Sequence, residues 1–452
     1  MLQPGAPSLY SRADLVRRPS KMVDQLPRTM RSVASQRPLR VCVAYSRLPF
    51  PMMRGDQLTI AHLLSYLNAR GHEVDFYTLD SGGELSAEQR GWLEKMCRKV
   101  RIFPHRLTNV ISGIARAFIS GLPIQVGYFD NKKLVQAVRK EAAKGAYDLV
   151  YCYYIRSAPV VPDGFVASEP GYLSGNKVVS FLALQLSQTL NTRRIYENET
   201  SWAKRLFYWV EWRRLRTYES RIWSNFTKTV LIGQRDVADV KDACRHSGGA
   251  EIDNWVLSAH GTDIQKFRVA RPEEITDGRV VFSGSMRYQP NVQAAIWFIE
   301  NCWDSIRERM PGAELYIVGQ SPAAALRAFD GTKNITITGT VEDIGSYIRS
   351  ASVCVNPMLA AGGMQNKLIE YMACGKAIVA TSIANEGIGA PSGTVVIADD
   401  EQSFIDATSD LLKDKHRAET LGKSAREYVA REWTWEYQFD KLEKEFYRAL
   451  DG

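Results

Sequence analysis

The sequence predicts an α/β protein built from two Rossmann-like domains. Its 452 residues fit two or three domains of ordinary size. Buried strands, helices with an apolar face and short glycine-containing loops alternate from Leu39 onward, and the same alternation restarts near residue 279. A strand–helix–strand succession implies a parallel sheet covered by helices. We therefore predict two such sheets that face one central cleft, because ligands of open α/β sheets bind beyond the strand ends.

The first βαβ unit follows directly from the residue pattern. Leu39–Tyr45 predicts a buried strand, Leu58–Ala69 has apolar residues at helical spacing, and His72–Leu79 predicts the next strand. Gly71 is placed to end the helix as its C-cap. The later elements of this half are strands at 99–103, 148–154, 177–182 and 229–232 and a helix over 132–144.

The second half repeats the architecture and ends in helices. Residues 401–450 show helical periodicity without strands. We place a flexible basic tail at 1–36, an N-terminal domain at 37–265 and a second domain at 275–425. The elements predicted in the second domain are strands at 279–283, 313–318, 335–339, 352–356 and 377–380 and helices at 291–310, 342–350 and 366–373.

The net charge of +8 is concentrated in two segments. Residues 1–40 hold eight basic and two acidic residues, and residues 193–228 hold nine basic and four acidic residues. The rest of the chain is slightly acidic, so the charge does not indicate a nucleic-acid partner. Segment 193–228 interleaves tryptophan with arginine, which fits either peripheral contact with an anionic membrane or a domain-packing helix with a charged rim.

Cysteine and apolar patterns favour a cytoplasmic protein. The seven cysteines are odd in number and none has C-x-x-C spacing, as expected for reduced thiols. No apolar run reaches about 18 residues, and the N-terminus lacks the apolar core of a secretory signal, although its arginine and serine content is compatible with a transit peptide. No Asp-x-Asp pair or His/Cys/Glu cluster has metal-site spacing, so we predict no metal and no cofactor.

The most informative segment runs from Asn356 to Val379. A strand ends at Asn356-Pro357, a loop holds Gly362 and Gly363, and a helix begins near Gln365 or Asn366. Glycines before a helix allow backbone N–H groups to approach a phosphate, which the helix dipole also favours. Lys367 adds a positive charge in the first turn, and Glu370 could accept hydrogen bonds from a ribose diol. The alternative is a surface helix with a glycine hinge.

The same segment resembles the donor-site motif of retaining GT-B glycosyltransferases of family 4. That motif reads Glu-Gly-x-Gly-x-x-x-x-Glu-Ala-Met-Ala-x-Gly, and Glu370–Gly375 retains its end, whereas Gly362 stands where the first glutamate is expected. Gly363–Glu370, which reads Gly-Met-Gln-Asn-Lys-Leu-Ile-Glu, is similar to the motif of a bacterial exopolysaccharide-associated branch. The resemblance implies the GT-B fold and a sugar transferase that uses nucleotide-sugars.

The resemblance also assigns roles to residues of this chain. Arg287, Lys367 and Glu370 become the catalytic candidates, since retaining transfer needs neutralisation of the diphosphate charge more than a side-chain base. Arg54 and Asp56 become acceptor-side candidates, although Asp56 could instead be the N-cap of the following helix. The donor-binding candidates are Gly55, Gly284, Ser285, Thr340, Val341, Gly362, Gly363, Met364, Gln365 and Asn366.

The predicted function is transfer of a sugar from a nucleotide-sugar to a glycan in bacterial exopolysaccharide or cell-surface polysaccharide synthesis. The acceptor is expected to be a glycan or a polyprenyl-diphosphate-linked glycan, and the chemistry retaining and metal-independent. The protein would act in the cytoplasm, with possible peripheral contact at the inner face of the bacterial inner membrane. Residues 426–452 resemble the closing helix that returns to the first domain.

Two alternatives are another GT-B nucleotide-sugar enzyme of the 2-epimerase type and a non-catalytic basic protein that binds membrane surfaces.

Overall fold

The computed structural model describes residues 36–50, 52, 54–80, 85–162, 178–199, 201–360 and 364–451. These residues form two compact units. The N-terminal unit contains the described parts of Pro19–Phe50, Thr59–Ala259 and Phe439–Gly452, and the C-terminal unit contains those of Pro51–Leu58 and His260–Gln438.

Seven strands of the described chain form a parallel sheet in the N-terminal unit, in the spatial order β3-β2-β1-β4-β5-β6-β7. Helices cover both faces of such a sheet, so its strands carry apolar residues on both sides. Strands β1, β4 and β5 are accordingly almost completely buried. The strands are β1 (Arg40–Tyr45), β2 (Glu73–Asp80), β3 (Lys99–Pro104), β4 (Leu149–Tyr153), β5 (Val179–Gln185), β6 (Lys228–Leu231) and β7 (Trp255–Leu257).

Helices connect these strands. Short 3₁₀ helices add turns at Ile155–Val160 and Trp223–Asn225. The α-helices are α1 (Gly55–Ala69), α2 (Ala87–Met96), α3 (Leu107–Ser120), α4 (Ile124–Tyr128), α5 (Lys132–Ala143), α6 (Gln188–Asn198), α7 (Trp202–Ile222) and α8 (Gln234–His246). The residues of α1 up to Leu58 are grouped with the C-terminal unit.

The C-terminal unit has a second parallel sheet, for which the described residues supply six strands in the order β10-β9-β8-β11-β12-β13. Its strands are β8 (Arg279–Ser283), β9 (Glu314–Val318), β10 (Ile335–Gly339), β11 (Val353–Asn356), β12 (Ala377–Ala380) and β13 (Val396–Ile397). Its helices are α9 (Gln289–Phe298), α10 (Asp304–Arg309), α11 (Ala324–Arg327), α12 (Ile344–Ser350), α13 (Asn366–Ala373), α14 (Ser382–Asn385), α15 (Glu401–Lys413) and α16 (Lys415–Glu432). The last helix, α17 (Trp435–Asp451), begins in this unit, and its residues from Phe439 onward belong to the N-terminal unit.

The structure confirms the α/β fold class and every predicted strand, with bounds that differ by a few residues. Strands β7 and β13 were not predicted, because runs of three and two residues are too short to show a periodic pattern. The predicted helix 291–310 begins at Gln289 and contains a π-helical turn at Ile299–Trp303. The predicted tail at 1–36 lies outside the described residues apart from Gln36.

The seven cysteines are buried thiols without disulfide bonds. Burial raises the pKa of Cys97, Cys302 and Cys374 to about 12, which keeps them protonated and unreactive at neutral pH. Within the described ranges, no helix combines the length and apolar character needed to cross a bilayer.

A buried carboxylate holds the end of α17 in place within the N-terminal unit. Glu443 Oε2 accepts hydrogen bonds from the Tyr66 hydroxyl at 2.6 Å and from Arg70 Nε at 3.0 Å. Because Leu39 N donates to His72 Nδ1, the proton of His72 is on Nε2, which donates to Glu443 Oε1 at 2.9 Å. Burial raises the pKa of Glu443, but the hydrogen bonds from His72 and Tyr66 and the charge of Arg70 outweigh it, so this pKa lies below its ordinary value.

We expect Glu443→Ala to lower the free energy of unfolding by about 3 kcal/mol at pH 7, because it leaves buried polar partners unpaired. Since the pKa of Glu443 is lowered in the folded state, its stabilisation is present above the ordinary glutamate pKa and is lost as the pH falls through the folded-state pKa. Urea denaturation from pH 7 down to pH 3 should therefore show the two proteins converging in acid. Glu419→Ala, at an exposed position on α16, is the matched control, and equal stability of Glu443→Ala and wild type at pH 7 would contradict the assignment.

Candidate active site

The segment that follows β11 leads from the sheet into helix α13. Strand β11 ends at Asn356, which is fully buried, and α13 begins at Asn366. The predicted phosphate-binding glycines, Gly362 and Gly363, lie outside the described residues. Of the other loop candidates, Met364 is half-buried, Gln365 is buried and Asn366 is exposed.

Lys367 is buried in the first turn of α13, with only 6% of the residue exposed. Its Nζ donates to Asn291 Oδ1 at 2.6 Å and lies 4.3 Å from the centroid of the Phe282 ring. Burial lowers the pKa of Lys367 to about 7, and the charge of Glu370 opposes that shift. Burial of a charged ammonium group costs free energy, and an anion that binds beside it would offset that cost.

Asn291 connects Lys367 to the loop after β8, and sequence reasoning did not assign it to the site. Its side-chain amide Nδ2 donates to Ser285 O at 2.9 Å, while its Oδ1 accepts from Lys367. A Cβ at Gly284 would lie 2.7 Å from Asn291 Nδ2 and 3.3 Å from Lys367 Nζ, so this position requires glycine. The structure thus brings together three predicted site residues, Gly284, Ser285 and Lys367, through a side chain in the first turn of α9.

Glu370 lies one turn after Lys367 and is 4% exposed. Burial raises the pKa of Glu370 to about 7, although the charges of Lys266 and Lys367 lower it. In the described part of the chain, Glu370 Oε2 has no hydrogen-bond partner. A buried carboxylate oxygen without a partner costs about 1–3 kcal/mol, so Glu370 is poised to accept a hydrogen bond. Lys266 was not predicted as a site residue, because it lies about a hundred positions away in sequence.

Two contacts fix α13 in place. The Tyr371 hydroxyl accepts a hydrogen bond from Ser283 N at 2.6 Å and another from Ser283 Oγ at 2.9 Å, which joins the helix to the end of β8. Two residues after the helix, Gly375 has φ +67°, and a Cβ at Gly422 of α16 would lie 2.2 Å from Gly375 O. These contacts fix the position of α13, and with it the positions of Lys367 and Glu370.

Arg287 lies on the same loop as Gly284 but is exposed, and its Nε donates to Ser321 Oγ at 3.0 Å. Ser321 and Thr340 both line a cavity of about 470 Å³ at the ends of β9 and β10. Thr340 and the half-buried Val341 follow β10 directly. The structure thus joins Arg287 to Ser321 of this pocket, which Thr340 also lines, and places Lys367 beside Phe282 of β8.

The acceptor-side candidates lie at the start of α1, in the C-terminal unit. Helix α1 begins at Gly55, so Asp56 lies inside its first turn, which corrects the alternative that Asp56 is the N-cap. Asp56 Oδ1 is 3.4 Å from Arg54 Nε. Gly55 is exposed, and a Cβ built on it meets no atom within 4 Å, so the protein's own packing does not require glycine there.

The carboxyl ends of β4 and β5 in the N-terminal unit hold strained residues that sequence reasoning missed. Tyr154 has φ +70° and ψ +151°, a conformation almost restricted to glycine. Gln185 has φ +69°, and Leu186 N donates to Leu184 O across it at 3.0 Å, which makes a strained γ-turn. Within the described residues, the buried Gln185 Oε1 lacks a hydrogen-bond partner. Such strain is concentrated at functional sites, and this edge is where an open α/β sheet binds ligands.

No metal site is found in the part of the chain that the structure describes, where no three His, Cys, Asp or Glu side chains are grouped to hold an ion. The positive charge beside Phe282 of β8 comes from Lys367.

Comparison with known proteins finds a family match for part of the C-terminal unit. Residues 277–414 match the family model described as glycosyl transferases group 1. A 44.6 kDa protein from the cps region of Klebsiella pneumoniae is 22% identical over 416 residues, which cover 90% of this chain and 99% of that protein. A GDP-mannose-dependent α-(1-6)-phosphatidylinositol monomannoside mannosyltransferase of Mycobacterium tuberculosis is 32% identical over 168 residues, which cover 33% of this chain and 42% of the relative.

Solved structures share the fold over nearly the whole chain. TarM superposes with a TM-score of 0.61 at 10% identity, over 90% of this chain and 98% of TarM. Sucrose-phosphate synthase from Thermosynechococcus elongatus gives 0.58 at 18% identity, over 91% and 100% of the two chains. Anabaena Alr3699/HepE in complex with UDP and glucose gives 0.56 at 13% identity, over 91% and 100%. These likenesses confirm the GT-B fold expected from the sequence.

We expect the free energy of unfolding of the wild-type protein to rise relative to that of Lys367→Met as the pH increases from 7 towards 10. Burial lowers the pKa of Lys367 to about 7, while the ordinary lysine pKa of 10.5 applies to the unfolded chain. In this pH range the unfolded chain therefore binds a proton that the folded protein has lost, which favours the folded state as the pH rises. Thermal unfolding across that range tests the effect. The control is Lys423→Met, at an exposed position on α16, which should keep the wild-type pH dependence, and a wild-type pH dependence in Lys367→Met would contradict the assignment.

Proposed function

We propose that this chain, a glycosyltransferase of the GT-B type whose residues 277–414 form a glycosyl transferases group 1 domain, transfers a sugar from a nucleotide-sugar to a lipid-linked glycan. The observation that carries the proposal is the pair of oppositely charged side chains, Lys367 and Glu370, buried within one turn at the start of α13. Burying such a pair costs free energy that packing alone does not recover, and a ligand with both a diphosphate and hydroxyl groups would recover it.

The donor would bind along the ends of β8, β10 and β11. Lys367 would attract the diphosphate together with Arg287, while Glu370 would accept hydrogen bonds from the hydroxyls of a sugar. The pocket lined by Ser321 and Thr340, of about 470 Å³, has a size that suits a nucleobase and its ribose. Two comparisons support a nucleotide-sugar: Alr3699/HepE binds UDP and glucose, and the mycobacterial relative is named for its GDP-mannose dependence.

The remaining donor-binding candidates would act mainly through their backbone. Glycine at 284 leaves room beside Lys367 for a phosphate oxygen. The other candidates in this group are Gly55, Ser285, Val341, Gly362, Gly363, Met364, Gln365 and Asn366.

In the reaction we propose, the acceptor hydroxyl forms its bond to the anomeric carbon on the face that the diphosphate leaves. The electrons of the breaking bond go to the diphosphate, whose phosphate oxygen takes the proton of the hydroxyl. The developing negative charge on the diphosphate would be stabilised by Lys367 and Arg287, which supply the charge without a metal ion. Configuration at the anomeric carbon would be retained.

The acceptor would lie on the side of Arg54 and Asp56. Relatives support a glycan of the cell surface: one is a protein of a cps region, and another is named for a phosphatidylinositol mannoside acceptor. We therefore favour a polyprenyl-diphosphate-linked glycan in bacterial exopolysaccharide or cell-surface polysaccharide synthesis. Such an acceptor would bring the enzyme to the inner face of the membrane, by peripheral contact that includes 193–228.

A panel of nucleotide-sugars tested by thermal unfolding examines the donor assignment. A ligand present at 100 times its Kd adds about 2.7 kcal/mol of stability, so a matching donor should raise the melting temperature clearly, in the presence of EDTA as well as in its absence. The same donor should not stabilise Lys367→Ala. A panel covering UDP-, GDP-, ADP- and dTDP-sugars in which no member stabilises the wild-type protein would contradict the proposal.

Glu370→Ala and Lys367→Ala should each lower turnover at least about tenfold, the effect of about 1.4 kcal/mol at the transition state. The reason is that each removes one of the two buried charges aimed at the donor. Turnover is measured as release of nucleoside diphosphate with the donor found in the panel. Glu419→Ala and Lys423→Ala on the exposed side of α16 are the matched controls, and wild-type turnover in either site variant would refute the assignment.

A further inference from the structure

Helix α3 of the N-terminal unit exposes its large apolar side chains. A helix on the surface of a globular protein normally turns its apolar stripe towards the core. Here the buried positions are occupied by the small residues Gly113 and Ala117. The large residues form what we call the outer face of α3: Leu107 (72% exposed), Ile111 (60%), Phe118 (56%) and Ile119 (88%).

Close packing against α4 imposes this orientation. A Cβ at Gly113 would lie 2.1 Å from Gly127 O, and one at Gly127 would lie 2.6 Å from the Ala117 Cβ. The two helices therefore touch backbone to backbone, which only small residues permit. Because the small side of α3 must face α4, the large apolar side chains have to point away from the unit.

The outer face places four exposed large apolar side chains on a single helix. Contiguous apolar patches on soluble proteins generally mark sites of interaction. At 14 residues α3 is shorter than the roughly 20 needed to span a bilayer, and it contains Arg116, which pairs with Asp130. These properties suit a helix that lies in the plane of a membrane interface.

A basic helix is fastened beside the outer face. Arg214 of α7 donates through Nη1 to Ala117 O at 3.4 Å and to Leu122 O at 3.3 Å, and its guanidinium carbon lies 4.8 Å from the centroid of the Phe118 ring. This contact holds α7 at the C-terminal end of α3.

The exposed charge of α7 is positive. Its carboxylates, Glu211 and Glu219, are buried, and Glu211 accepts hydrogen bonds from Ile124 N at 2.7 Å and Gln125 N at 3.0 Å. The exposed side chains of α7 include Trp202, Lys204, Arg205, Leu206, Trp209, Arg213 and Arg221. Tryptophan and arginine together suit the headgroup region of an anionic bilayer.

We propose that the outer face of α3 inserts into an anionic lipid bilayer while the basic side chains of α7 contact its headgroups. The biological role of this membrane contact rests on the proposed function, since a lipid-linked acceptor is presented at a membrane. A second copy of the chain is the less suitable occupant. A symmetric pair through this face would bring the basic surface of each α7 towards that of its partner, and like charges repel.

The test is sedimentation of the full-length protein with vesicles of phosphatidylcholine, with and without phosphatidylglycerol. We expect wild-type protein to bind the anionic vesicles and to be released by salt. Ile119→Ser and the double variant Ile111→Ser/Phe118→Ser should each lower the partition coefficient at least about tenfold, because apolar groups that enter the bilayer are removed. Ile275→Ser, at an exposed isoleucine of the C-terminal unit (39%), should bind as wild type.

Three outcomes would overturn the inference. They are no binding of the wild-type protein to anionic vesicles, wild-type binding by Ile119→Ser, and a wild-type dimer that Ile119→Ser dissociates. Circular dichroism checks folding, and Ile119 is exposed enough that its loss should not unfold the helix. Sedimentation needs no sugar transfer. A protein that binds vesicles without transferring sugar would therefore contradict only the proposed function, and one that transfers to a soluble acceptor without binding vesicles would contradict only this inference.

Discussion

The structure of the C-terminal unit depends on keeping two opposite charges buried within one helical turn. Lys367 and Glu370 are both more than nine-tenths buried, and burial moves the pKa of each to about 7. Burying such a pair costs free energy, which hydrogen bonds to the charged groups offset. Asn291 receives the ammonium group on one side, and Gly284 leaves the space that any side chain would fill. The buried groups that lower the stability of this region are thus the same groups that would bind a diphosphate.

The N-terminal unit uses buried carboxylates differently. Glu211 and Glu219 on α7 accept hydrogen bonds from the first backbone N–H groups of α4 and α6, which neutralises helix ends that would otherwise attract an anion. Glu443 on α17 is surrounded by a tyrosine, an arginine and a histidine. In each case the carboxylate is satisfied by the protein, whereas Glu370 Oε2 has no partner among the residues that the structure describes. This contrast separates structural carboxylates from one that is available to a ligand.

Segment 193–228 shows why composition alone left two interpretations. The structure divides it into α6 and α7, and one side of α7 is buried through Leu215 and Ile222 while the other exposes Trp202 and Trp209. The segment therefore packs within its unit and also presents a basic aromatic surface. Composition could not show that the segment has both a buried and an exposed side, because it does not say which residues lie on the same face of a helix. The exposed apolar side of α3 could not be predicted for a related reason. Its apolar residues have the spacing of an ordinary core-facing stripe, and only the contact between Gly113 and Gly127 shows which side of the helix is buried.

The sequence by itself determined the α/β class, the two parallel sheets and the helix that carries Lys367 and Glu370. These features follow from local periodicity and from glycines at helix ends, both of which depend only on residues that are close together in the sequence. Only the tertiary structure decided which side chains meet. Asn291 reaches Lys367 across 76 positions, Lys266 acts on Glu370, and α4 turns the apolar side of α3 outward. Contacts of this kind depend on how elements pack at close range, and no periodic pattern in the chain records which distant residues will be neighbours.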